Sequence, residues 1–354
     1  MKILDRYIGR TVSFGILLVM LILLALYAFV TLVGEMERVG TGRYGVMQAV
    51  AFVLYILPER VYELFPLAAL IGTLVGLGSL ATGSELTAIR AAGISSARIG
   101  LSVMRVGLLL MGAVVIVGEF IAPNLEQYAN RERALALGQQ VAMQGRSGFW
   151  ARDGNNFINI RHIYPEGQLA DLTIYQLDAA HHLQLQTEAA SAIYQDGSWQ
   201  LTKVVRHHIL PDGVTTEHIP TAMWQSLLSP KLLAVVMVRP DALSVVGLYR
   251  YVRYLHDNHL DASRYAQSLW IKLVNPFTTG VMVLLAIPFI LGPLRSVSLN
   301  QRLVVGALVG ISFHIINRAF HYIGQIYSLH PTIGALLPTL LFLGISLVWL
   351  RRVR

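Results

Sequence analysis

Apolar and polar positions follow two different periods along this chain, and the change of period divides it into three parts. Six stretches are apolar for long enough to cross a bilayer core of roughly 30 Å, which takes about 20 helical residues. They run near 12–33, 51–78, 99–122, 269–291, 303–325 and 332–350. The second contains Pro58, Glu59, Arg60, Glu63 and Pro66, so its first turns are expected to be polar or kinked. Gly72, Gly76 and Gly78 in the same stretch predict close helix approach, because small residues let backbones meet in lipid. The basic start, Lys2 to Arg10, has the flavour of a secretory leader. The apolar run behind it is too long for one and no small-residue cleavage site follows, so it reads as a retained span.

Between the third and fourth stretches the period shortens to two. Strand-like runs occupy 148–152, 156–163, 172–177, 183–189 and 199–207. Asp153-Gly154, Pro165-Glu166-Gly167, Asp196-Gly197 and Asp212-Gly213 punctuate them, and Asp-Gly between alternating runs is a hairpin signal. From Asp241 to Asp257 the helical period returns, with Leu243, Val246, Tyr249, Val252 and Leu255 on one face and Arg250 and Arg253 off it. Such a helix either packs under the β domain or lies on the membrane surface. The predicted fold class is a membrane α-helical bundle of six spans with an inserted periplasmic all-β, jellyroll-like domain. Residues 1–125 hold spans one to three with a short helix at about 82–93, 126–240 the β domain, and 241–354 the connecting helix and spans four to six.

Composition agrees. Of 354 residues 55% are hydrophobic and only 14% charged, with a mean hydropathy of +0.56. Soluble domains carry roughly 25% charged residues. Residues 123–264 hold 12 Lys+Arg against 13 Asp+Glu, so the net charge of +8 belongs to the apolar remainder. That points to anionic lipid rather than nucleic acid, for which no basic run interleaved with aromatics exists. Cysteine is absent, which excludes disulfides and thiolate metal sites.

Orientation follows Lys and Arg in the short loops. One side has Lys2, Arg6, Arg10, Arg90, Arg98, Arg295, Arg302, Arg351, Arg352 and Arg354; the other has Arg38 and Arg43 in its first loop and none in its last. Both termini are expected in the cytoplasm and the β domain in the periplasm.

Candidate sites follow from topology. Thr82 to Gly93 forms a short loop with a helix of its own: Thr82 and Glu85 match a capping box and Gly93 suits a stop. Leu86 and Ile89 are then exposed unless a partner covers them. The segment reads either as a coupling helix docked on a cytoplasmic motor, with Glu85 and Arg90 as its charges, or as a helix buried in headgroups. His314, Asn317, Arg318 and His321 share one face of the fifth span. Arg318 lies 16 residues beyond Arg302, hence about 24 Å across the bilayer. This face is either the wall of a hydrated or headgroup-lined cavity or a polar seam between helices. Arg38, Arg43 and Arg133 cluster just outside the outer leaflet, as an anion site or as cations neutralised by Glu35 and Glu37. Glu119 reads as an ordinary interfacial carboxylate. No P-loop, H-E-x-x-H or G-x-S-x-G motif occurs, and His181-His182 and His207-His208 each point to opposite faces of a strand. Neither an enzyme nor a metal or cofactor site is expected. Three classes remain: a transporter subunit for an envelope lipid or lipoprotein, a membrane scaffold, and an intramembrane enzyme using Glu119 and His321.

The residues also resemble a family. Leu4-Asp-Arg-Tyr-Ile-Gly9, Ser84-Glu-Leu86, Leu101-Ser-Val-Met104, Trp150-Ala-Arg-Asp-Gly-Asn-Asn-Phe157, Pro240-Asp-Ala-Leu-Ser244, Gly292-Pro-Leu-Arg-Ser296 and Gly334-Ala-Leu-Leu-Pro338 resemble, in order and from end to end, the LptF/LptG permease family. The resemblance implies six spans, a periplasmic jellyroll, an LptF-like second permease subunit, an LptB-like ATPase dimer and an LptC-like membrane subunit. It implies lipopolysaccharide as cargo, taken from the inner membrane and passed to a periplasmic bridge. It puts Glu85, Leu86, Ile89 and Arg90 at the ATPase-coupling position and Arg133 in the family's basic region after the third span. Arg38, Arg43, Arg133, Arg318 and His321 become the candidate lipid contacts. Where relatives can carry a lysine near the outer end of the first span, this chain reads Thr31-Leu-Val-Gly-Glu-Met-Glu-Arg38, leaving Arg38 and Arg43 as the cations there.

Overall fold

A computed structural model describes residues 3–351 except 138–148, 165–167, 179–181, 196, 211–212, 226–229, 231–239, 292–298 and 327–329. Lys2, Arg295, Arg352, Arg354, His181, the Pro165 turn, Asp196, Asp212 and the Gly292–Ser296 stretch therefore lie outside the described residues.

Among the described residues, six helical segments are long and apolar enough to cross a membrane. The first is α1 (Ile3–Met36) and the second α2 (Val46–Thr82). A short helix, α3 (Glu85–Ala91), leads to α4 (Ser96–Ile116), which runs through a π-helical turn (Val117–Ile121) into α5 (Ala122–Ala136). After the β domain, a 3₁₀ turn (Pro240–Ala242) precedes α6 (Val245–Asp257), α7 (Ser263–Leu291), α8 (Leu299–Ile326) and α9 (Pro331–Arg351).

The α1–α2 pair is zipped by glycine. A Cβ added at Gly72 would overlap the backbone of Ile16, and one at Gly76 would lie 2.7 Å from Val12 Cα. The opposite face of α1 is left to lipid or to neighbours, with Leu17, Leu21, Leu26 and Phe29 exposed.

Pro58 and Pro66 sit inside one continuous helix, along with the polar Glu59, Arg60 and Glu63. A helical proline lacks the N–H that would bond the carbonyl four residues back. Pro66 thus frees Tyr62 C=O, and Pro276 in α7 frees Lys272 C=O. The two are satisfied across the α2–α7 seam: Asn275 Nδ2 donates to Tyr62 O at 3.1 Å, and Tyr62 Oη donates to Lys272 O at 2.7 Å.

The inserted domain is a six-stranded antiparallel sheet in the order β1-β2-β3-β4-β5-β6. The strands are β1 (Phe149–Asp153), β2 (Asn156–Ile163), β3 (Leu169–Leu177), β4 (Leu183–Gln195), β5 (Ser198–Leu210) and β6 (Gly213–Trp224). The Asp153-Gly154 hairpin forms as expected, with Asp153 opposite Asn156 and Gly154 at φ +60°. Ile158, Ile160, Leu172, Trp199, Leu201 and Val204 form its core. β6 has no counterpart in the expected strands. Most of its residues are exposed and its apolar residues do not alternate with polar ones, so it lacks the pattern that reveals a strand, and register with β5 holds it instead.

Helix α6 packs under this sheet, but not by the expected face. Leu248, Tyr251, Tyr254 and Leu255 are buried, whereas Val246 and Tyr249 are exposed. The tyrosines win because their rings fill the core while their hydroxyls stay satisfied; Tyr254 Oη donates to Arg152 O at 2.9 Å. Burial raises Tyr251 and pushes Tyr254 up to about 12, so both phenols stay protonated donors.

Glu119 is not an ordinary interfacial carboxylate. From the π-helical turn it accepts the N–H of Val245 at 2.7 Å and of Val246 at 3.2 Å, two donors that the start of α6 would otherwise leave unpaired. Glu119→Ala is expected to loosen this joint and leave the spans intact. Hydrogen exchange should quicken at Val245 and Val246 by at least tenfold while the α1–α2 amides remain protected.

Candidate functional site

Three groups of polar residues stand out, two toward the β-domain end of the bundle and one at the opposite end. The first is organised by Glu35. This carboxylate is 5% exposed and accepts four hydrogen bonds. Arg133 binds it bidentately, Nε and Nη2 each at 2.8 Å; Arg38 Nη1 donates at 2.7 Å and Tyr44 Oη at 2.9 Å. Burial, and then the bond to Glu35, push Tyr44 up to about 12. Because the folded value is raised, this hydroxyl's contribution is full below about pH 10 and is lost as pH climbs toward 12.

Local sequence builds the arrangement. Gly40 at φ +94° and Gly42 at φ +59° turn the chain back after α1, and Arg43 N–H donates to Ala136 O at 2.7 Å, capping the end of α5. The guanidinium of Arg133 also lies over the Phe52 ring, 4.8 Å from its centroid. Beside it opens a cavity of about 370 Å³ lined by Arg43, Tyr44, Phe52, Tyr55, Tyr128 and Arg133. Arg38 and Arg133 have their charge largely engaged by Glu35. The exposed Arg43 side chain makes no hydrogen bond or ion pair among the described residues.

The second group surrounds a cavity of about 280 Å³ between α2, α5, α7 and α8. The predicted face of the fifth span, His314, Asn317, Arg318 and His321, forms one wall. The opposite wall holds residues that sequence reasoning passed over as members of a site: Glu59, Glu126, Lys272 and Asn275. Lys272 Nζ lies 3.4 Å from Glu59 Oε1, both side chains buried, while Glu59 Oε2 is buried without a hydrogen-bond partner. Arg60 pairs with Glu63 one turn on and lies 5.2 Å from the Tyr27 ring centroid. The missed signal was the cost of ionisable residues inside spans, which makes each a functional candidate. Lys272 met that criterion on sequence alone.

The third group lies at the other end. Leu86 is buried at 4% exposure in the main apolar core, and Ile89, part-buried, packs against it, so Leu86 needs no partner to cover it. The capping box does not form: Thr82 is the last residue of α2 and bonds Gly78 O, and Ser84 at φ +60° precedes α3 without a side-chain cap. The stop at Gly93 does form, at φ +84°. What α3 presents outward is Glu85, Thr87, Ala88 and Arg90. Glu85 Oε2 accepts a hydrogen bond from Tyr7 Oη at 2.7 Å.

Known proteins share this organisation. Residues 6–352 match the family model described as lipopolysaccharide export system permease LptF/LptG. A relative in Haemophilus influenzae, named lipopolysaccharide export system permease protein LptG, is 36% identical over 348 residues, covering 98% of this chain and 97% of its own. The protein of that name in Escherichia coli K12 is 36% identical over 351 residues, with the same shares. With six membrane-length helices, an inserted antiparallel sheet and a family match over nearly its whole length, this multi-pass inner-membrane protein belongs to the LptF/LptG family of lipopolysaccharide export permeases.

Proposed function

We propose that this chain is a passive permease subunit of a transporter that extracts lipopolysaccharide from the inner membrane and passes it to a periplasmic bridge. Energy comes from a separate ATPase. The observation that carries this reading is the correspondence to permeases of that name along 98% of the chain. In this reading the termini are cytoplasmic and the β domain, within 126–240, is periplasmic. An LptF-like subunit completes the bundle, an LptB-like ATPase dimer drives it, and an LptC-like subunit joins it.

Glu85 and Arg90 give α3 an exposed charged surface for the ATPase, while Leu86 and Ile89 root it in the bundle. Glu85→Ala and Glu85→Arg are expected to abolish lipopolysaccharide-stimulated ATP hydrolysis or assembly with the ATPase. Normal assembly, hydrolysis and export by both variants would remove the coupling role.

At the other end, Arg43 is the cation with charge to spare beside a cavity with aromatic walls, and Arg318 and His321 edge the second cavity. Charge-assisted bonds from these groups suit lipid phosphates. Arg43→Ala is expected to reduce copurified lipopolysaccharide about tenfold without moving the melting temperature. An unchanged lipid content would assign Arg43 to the surface instead.

A further inference from the structure

We propose that Tyr7 is a positioning residue for the coupling helix, tying Glu85 to α1 so that displacement of α3 is transmitted to the first span. The proposal builds on the reading of α3 as the ATPase contact.

The first two turns of α1 carry two polar links to other helices. Asp5, 6% exposed, accepts a hydrogen bond from Ser102 Oγ of α4 at 2.7 Å, with Arg98 Nη2 at 4.0 Å from its other oxygen. Tyr7, 47% exposed, donates to Glu85 of α3 at 2.7 Å. Their burial separates their roles. Breaking the Asp5 link would strand a buried carboxylate, so α1 and α4 stay joined. The Tyr7 link can exchange with water at little cost, so it is the one that can make and break in a working cycle.

Apolar packing places both helices in the same bundle core. Ile8 and Leu86 are buried in one cluster, and Leu4 and Ile89 pack against it. Yet α3 packs chiefly on α2, so the Tyr7–Glu85 hydrogen bond is what ties it directly to α1. Tyr7 also settles which carboxylate oxygen remains available. Oε2 is taken, and Oε1 makes no hydrogen bond among the described residues, so it is left for a cationic or N–H donor of the ATPase.

The test uses the assembled transporter in bilayer discs containing lipopolysaccharide. Tyr7→Phe keeps the ring and removes only the donor. We expect lipid-stimulated ATP hydrolysis to fall about fivefold while the ATPase still copurifies and the melting temperature is unchanged. Full activity in Tyr7→Phe alongside inactive Glu85→Ala would overturn the Tyr7 role and leave the coupling reading standing. Loss of assembly in Tyr7→Phe would also overturn it. A silent Glu85→Ala would instead remove the coupling reading and this proposal with it.

Discussion

Gly72→Leu is expected to prevent accumulation of folded protein. No side chain fits where Gly72 meets Ile16, because the obstruction is backbone rather than a movable tip. The helices would have to separate, and the apolar contacts of Val12, Ile16, Leu74 and Leu77 would go with them. Overpacking a core typically costs about 1–3 kcal/mol when side chains can yield; here they cannot, so the loss should exceed that range. Gly112→Leu is the matched control, since nothing lies within 4 Å of a Cβ there. The measurement is the monodisperse fraction and melting temperature in detergent. Comparable behaviour of the two variants would show that α1 and α2 are not packed through glycine.

Arg133→Glu should be the most damaging change at the β-domain end, for a reason other than ligand binding. It would set a second carboxylate against Glu35, which is buried and takes two hydrogen bonds from Arg133. Breaking a buried pair by removing one partner costs about 3–5 kcal/mol. A melting temperature lowered by several degrees is expected, together with loss of bound lipopolysaccharide. The double variant Glu35→Gln/Arg133→Met removes both charges at similar volume and should recover most of the stability. Lipid retention in that double variant would assign Arg133 to structure and leave recognition to Arg43. Lipid lost from a stable double variant would mean that Arg133 also touches the ligand.

The sequence made the architecture legible where a period was sustained. Six apolar runs of about 20 residues became six helices, and Asp153-Gly154 became a hairpin, because bilayer thickness and turn geometry each demand one solution. Distances between distant residues were not legible. Neutralisation of Arg38 and Arg133 by Glu35 is one of the two readings the sequence allows, and the structure shows it; nothing in the order of residues says that Glu119 would reach the start of α6, 126 residues away. Counting apolar side chains chose the wrong face of α6, since Tyr251 and Tyr254 are amphipathic and only the sheet above them decides which way they turn. The apolar residues of α3 misled in the opposite sense. Leu86 is covered by the chain's own bundle rather than by a partner, and Ile89 is covered in part.

The paired prolines of α2 and α7 carry a mechanical consequence. Each helix repairs the other's missing backbone bond, so sliding or rotating one against the other would uncover two carbonyls inside the protein at once. Glycine fastens α1 to α2 just as firmly. Three of the six spans thus behave as one solid wedge. Any opening within this bundle would therefore run along the border of the wedge rather than through it.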